Sequence, residues 1–141
     1  MSNIDFSQAV TAEAKAAAAR AKLIEEVAKI RWEVQSGGVT LSDGLAVRSD
    51  QTARTAFTET INALRAGLAE EPVPWKFDTG WRDLTLADLQ NIAGAISRHT
   101  TRCFAAERTV QEAIADLPDA EVADFDVSAA FLAEMGGGGG V

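Results

Sequence analysis

The chain has 141 residues, enough for one small domain with appendages, and its 47% hydrophobic content excludes disorder throughout. A net charge of −8, with Lys and Arg scattered rather than clustered, argues against nucleic-acid binding, which depends on cations meeting phosphates. A single cysteine excludes an intrachain disulfide, the start MSNIDFSQAV lacks the basic and apolar parts of a secretory signal, and no apolar run approaches the ~20 residues of a membrane span, so a chain assembled in a reducing cytoplasm without membrane insertion is expected.

Residues 1–10 read as an extended or capping segment that docks on a neighbour. Thr11 then opens a helix to about Gln35 whose narrow stripe is Ala12, Ala16, Ala19, Leu23, Val27, Ile30 and Val34. The first half of the stripe is alanine. It buries little area and invites the close approach of another helix or another subunit. Ser36-Gly37-Gly38 stops this helix, and Val39-Thr40-Leu41 and Leu45-Ala46-Val47 flank an Asp43-Gly44 turn, a hairpin signal.

Ser49 or Asp50 caps a second helix of about 18 residues with apolar positions Phe57, Ile61, Leu64 and Leu68, ended by Gly67 and Glu70-Glu71-Pro72. Val73 to Asp83, with Trp75, Phe77 and Trp81 and a turn at Asp78-Thr79-Gly80, predicts a second hairpin beside the first. Thr85-Leu86-Ala87-Asp88 is a capping-box variant opening the longest expected helix, which runs to Leu117 before Pro118. Leu89, Ile92, Ile96, Thr100, Cys103, Glu107, Val110, Ile114 and Leu117 repeat every seven residues, interrupted by the polar Thr100 and Glu107. A helix of ~33 residues is ~50 Å long, and its seven-residue period suggests a coiled coil between chains. Asp119 to Glu134 is acidic and carries Val122, Phe125, Val127, Phe131 and Leu132, which reads as a docking tail. Gly136 to Gly140 and Val141 close the chain as a flexible end.

Candidate chemistry is sparse. His99 and Cys103 stand four apart, a metal-pair spacing, but no CxxC, HxxxH or second histidine supplies further ligands. Cys103 falls on the apolar stripe, where a thiol is inert rather than nucleophilic. The carboxylate pairs Glu25-Glu26, Glu70-Glu71 and Asp124-Asp126 read as solvated charge. The glycines match no phosphate-binding loop. Trp32, Trp75 and Trp81 with Phe57 and Phe77 are read as core, the alternative being a stacking surface for sugars. Neither catalysis, nor a metal, nor a cofactor is expected.

The expected fold is α+β and mainly helical: two long helices forming a coiled-coil stalk flank a small knob of two β-hairpins and a short helix. The domain would span residues 11–118 and the acidic, glycine-ended tail residues 119–141. Leu23, Val27, Ile30, Val34, Ile96, Cys103, Val110, Ile114 and Leu117 would carry self-assembly, and Phe125, Phe131 and Leu132 would dock on a partner.

From about Arg31 to Glu112 the chain resembles a family of uncharacterised domains encoded in the tail-fibre modules of tailed phages and prophages. The resemblance rests on Arg31-Trp32-Glu33-Val34, Gly37-Gly38-Val39-Thr40-Leu41, Gly44, Ser49-Asp50, Trp75-Lys76, Gly80-Trp81, Leu86, Leu89 and the stretch Arg98-His99-Thr100-Thr101-Arg102-Cys103-Phe104-Ala105-Ala106-Glu107. It implies a small tail-associated protein without known catalysis, and no site residue follows from it. On that basis the expected function is a structural part of a virion tail that links or positions fibre parts, assembled in the host cytoplasm with other tail or fibre proteins. Tail fibres are commonly three-fold, so a homotrimer is expected. The alternatives are a fibre-assembly chaperone absent from the finished particle and a glycan-binding receptor module using Trp75 and Trp81.

Overall fold

The computed structural model describes residues 2–138, with side chains from residue 11 to 136. Helix α1 (Ser2–Ser36) is followed by strands β1 (Val39–Thr40) and β2 (Ala46–Val47), helix α2 (Gln51–Arg65), strands β3 (Val73–Phe77) and β4 (Gly80–Leu84), helix α3 (Leu86–Asp116), a 3-10 helix (Asp119–Asp124) and helix α4 (Val127–Gly138). The fold is therefore mainly helical α+β, with two small antiparallel sheets, β1-β2 and β3-β4. The chain divides into two compact units, one made of Met1–Trp32 and Cys103–Val141, the other of Glu33–Arg102. This division differs from the expected one, since residues 119–138 are part of the first unit rather than an appended tail.

In the Glu33–Arg102 unit, local chemistry sets each element. Asp43 Oδ1 accepts from the Leu45 amide at 3.0 Å, and Gly44 takes φ +89°, a conformation that L side chains rarely adopt. This turn pairs Val39 with Val47 and Thr40 with Ala46. Asp50, not Ser49, caps α2, its carboxylate accepting from the Ala53 amide at 2.8 Å. α2 stops at Arg65, three residues before the expected last core position, because Gly67 at φ +76° and the Leu68 amide bonded to Ala63 O close the end. Leu68 accordingly lies beyond the helix and is 83% exposed. In the second hairpin Phe77 pairs with Gly80 across Asp78-Thr79. The capping box forms as read: the Thr85 amide donates to Asp88 Oδ2 at 2.9 Å, and the Asp88 amide donates to Thr85 Oγ1 at 3.1 Å. The core of this unit is Leu45, Val47, Phe57, Phe77, Leu84, Leu89, Ile92 and Ile96.

In the other unit, α1 and the later part of α3 run antiparallel. Arg20 Nε donates to Ile114 O at 3.4 Å, a second Arg20 nitrogen donates to Leu117 O, and the guanidinium pairs with Asp119 at 2.8 Å. Eleven residues further along α1, Arg31 meets Phe104 and Glu107 instead. The helix starts at Ser2, not Thr11, because Asn3 to Val10 contains neither glycine nor proline to stop it. At 35 residues α1 is longer than α3, reversing the expected order of the two. The side chains of residues 2–10 and the terminal Gly139, Gly140 and Val141 lie outside what is described, and with them the expected N-terminal docking contacts. Gly136 to Gly138 belong to α4, where coil was expected, and helix propensity does not account for this.

Candidate functional site

The residues expected to join chains are largely used inside one chain. Val27, Cys103, Val110 and Ile114 are at most 1% exposed, and Ile96 is buried in the core of the Glu33–Arg102 unit. A side chain with no accessible surface cannot line an interface, so these five are corrected from interface to core. Leu23, Ile30, Val34 and Leu117 are half-buried on the rims of the same stripes. The acidic segment is treated likewise. Phe131 is fully buried, with Val122 and Val127, so the host surface these residues required is supplied by their own chain. Of the three expected docking residues, Phe131 is thereby corrected to core, Phe125 is half-buried, and Leu132 is 58% exposed.

The polar breaks in the α3 stripe have specific partners. Arg31 Nε donates to Glu107 Oε1 at 2.7 Å while its guanidinium lies 4.5 Å from the centre of the Phe104 ring. Gln111 donates to the other Glu107 oxygen at 3.1 Å. The seam therefore admits a charge because an arginine on α1 meets it within the unit. His99 Nε2 lies 2.9 Å from Val34 O, and Cys103 is fully buried. Among the described residues no group of three or more His, Cys, Asp or Glu side chains is placed to hold a metal ion.

The tryptophans part company. Trp75 stacks on Phe57 at 4.5 Å with an interplanar angle of 11° and is half-buried, as a core ring should be. Trp32 and Trp81 are 62% and 69% exposed, against the expectation that all three seal a core. Lys76 stands 6.0 Å from the Trp81 ring on the paired strand. For a glycan platform of Trp75 with Trp81, Trp81 offers an exposed ring, while one face of Trp75 is taken by Phe57.

Sequence reading took Ser49 only as a possible cap and missed its role. Its hydroxyl, fully buried, donates to Gln35 O at 2.6 Å and accepts from the Gly38 amide at 2.9 Å, tying the end of α1 to the chain that enters α2. It also missed a cleft of about 520 Å³ between α2 and α3, walled by Arg54 and Thr100. The only sequence trace of that cleft is the density of Thr and Ser along residues 52–60 and 97–101.

A family described as Domain of unknown function (DUF4376) matches residues 18–129. The chain belongs to this family. The DUF4376 match reaches beyond the stretch 31–112 on which the resemblance rests, taking in more of α1, the 3-10 helix and the start of α4. Neither a curated protein nor a solved structure matches the chain. No helix among the described residues is long and apolar enough to cross a membrane.

Proposed function

We propose that this DUF4376 protein is a non-catalytic structural component of a bacteriophage tail-fibre apparatus, which positions fibre parts by offering surface residues to neighbouring tail proteins. The observation that carries the reading is the exposure of large apolar side chains, three of them on helices or a strand and Leu68 in the turn after α2. Trp32 and Leu132 are exposed in one unit, and Trp81 and Leu68 in the other. Aromatic and large aliphatic residues of this kind are the usual anchors of protein interfaces. The tail-fibre setting is supported by the motif resemblance, from Arg31-Trp32 through Trp81 to Glu107. Assembly as a homotrimer would use these exposed residues, because the stripes first expected to do so are occupied within the chain.

The chaperone alternative requires residues 119–134 to be free to hold a client. Burial of Val122, Val127 and Phe131 weighs against it. Quantitative mass spectrometry of purified virions separates the readings. The structural role predicts the chain in fixed stoichiometry with fibre proteins, and absence from the finished particle would contradict it.

A further inference from the structure

Helix α1 carries two apolar lines. One contains Ala16 and Val27 and is buried within the chain. The other steps by three or four residues through Ala14, Ala17, Ala21, Ile24, Ala28 and Trp32, about 100° further round the helix. This second line is open. Ala14, Ala17 and Ala21 are exposed, as are Ile24 at 38% and Trp32 at 62%, while Ala28 is half-buried. Arg31 at its edge lies 4.5 Å from the centre of the Phe104 ring, itself 49% exposed, so the apolar face continues onto α3. All of these residues belong to the unit made of Met1–Trp32 and Cys103–Val141.

Two properties of the face match a second copy of itself. The first is size. The line begins with alanines, has Ile24 in its middle and ends with Trp32. A second copy laid antiparallel, with a two-fold axis between Leu23 and Ile24, puts the bulk of Trp32 over Ala14 and Ala17 of the other copy and brings the two Ile24 side chains together. The second is charge. The outer edge of the face carries Lys22 and Glu25, both exposed, and the same axis sets Lys22 of each copy opposite Glu25 of the other. A parallel pair would instead set Trp32 on Trp32 and Lys22 on Lys22. Size and charge therefore agree on one orientation and one register, as a self-complementary contact requires.

We propose that this face of α1 is a two-fold contact between copies of the chain, an antiparallel α1–α1 pair. The contact does not rest on the tail-fibre reading, and it leaves Leu68, Trp81 and Leu132 for other neighbours.

The test uses the full chain in sedimentation velocity and in oxidative cross-linking through single introduced cysteines, the native Cys103 being fully buried. Ile24→Cys places the two thiols beside the axis and is expected to give a disulfide-linked dimer under mild oxidation. In Ala17→Cys they lie ~20 Å apart along the helices, beyond disulfide reach, and no such dimer is expected. Trp32→Ala and Lys22→Glu, both at exposed positions, are each expected to weaken association about fivefold or more, and Glu25→Lys added to Lys22→Glu is expected to restore it. A monomeric native chain, cross-linking of Ala17→Cys as efficient as that of Ile24→Cys, single variants that associate as tightly as the native chain, or a double variant no tighter than Lys22→Glu would overturn the proposal.

Discussion

Ser49 shows how much one hydroxyl can organise. It serves as acceptor for the Gly38 amide and donor to the Gln35 carbonyl from a fully buried position, just where α1 gives way to the first hairpin. Ser49→Ala strips both backbone groups of this partner, and a loss of about 1–3 kcal/mol in chemical denaturation is expected. Its neighbour Asp50 acts at the surface through charge. The Ala53 amide and the Arg48 side chain hold the Asp50 carboxyl below its ordinary value, while Asp50 in turn raises Arg48. A carboxyl depressed in the folded state contributes stability above its ordinary unfolded value, and that contribution disappears as pH falls through the lower folded value. Protection of the first-turn amides of α2 against exchange should therefore be flat at neutral pH and fall in acid. In Asp50→Asn this fall should be absent. The ion pair of Arg31 with Glu107, mostly shielded from solvent, belongs to the same scale. Glu107→Ala is expected to cost about 1.5–3 kcal/mol, the range of hydrogen bonds to charged groups, measured by urea titration.

At the level of elements, the strongest local signals translated directly. Thr85 and Asp88 form the capping box that their spacing announced, and Asp43-Gly44 forms its turn because only a residue tolerant of φ +89° closes it. Gly44→Ala should destabilise the Glu33–Arg102 unit by about 1 kcal/mol, seen as a lower thermal midpoint, since an alanine there is strained even though open space surrounds it. What the sequence did not disclose was non-local. A helical stripe states that a face is covered but not by what, so Val27, Val110 and Ile114 read equally well as a subunit seam or as a core. Trp32 and Trp81 have the composition of core residues, and only the folded surroundings place them outside. Ser49 looked like a cap because caps are what serines before helices usually are.

For the molecule as a whole, the important difference lies in where the long helices find their partners. Helix α1 meets the later part of α3 antiparallel in the same chain, through Arg20 with Ile114, Leu117 and Asp119 and through Arg31 with Glu107, and of the stripe's alanines Ala16 is buried while Ala12 is exposed. The acidic segment supplies further cover rather than reaching outward, with Val122, Val127 and Phe131 buried. The seven-residue period of α3 is thus satisfied internally, and among the described residues Ile24, Trp32, Leu68, Trp81, Phe104 and Leu132 are the large apolar side chains left exposed. The DUF4376 match embraces residues 18–129, which include segments of both compact units.

The most direct test is Val110→Asp, examined by circular dichroism, thermal melting and light scattering beside Thr109→Asp, its exposed neighbour on α3, as a surface control. A charge placed at the 1% exposed Val110 has no water and no partner, so the account predicts loss of helix and of the cooperative melt, whereas Thr109→Asp should change stability by no more than about 0.5 kcal/mol. A Val110→Asp chain that kept its full helical signal and cooperative melt while dropping from oligomer to monomer would place Val110 at a subunit interface and contradict the account.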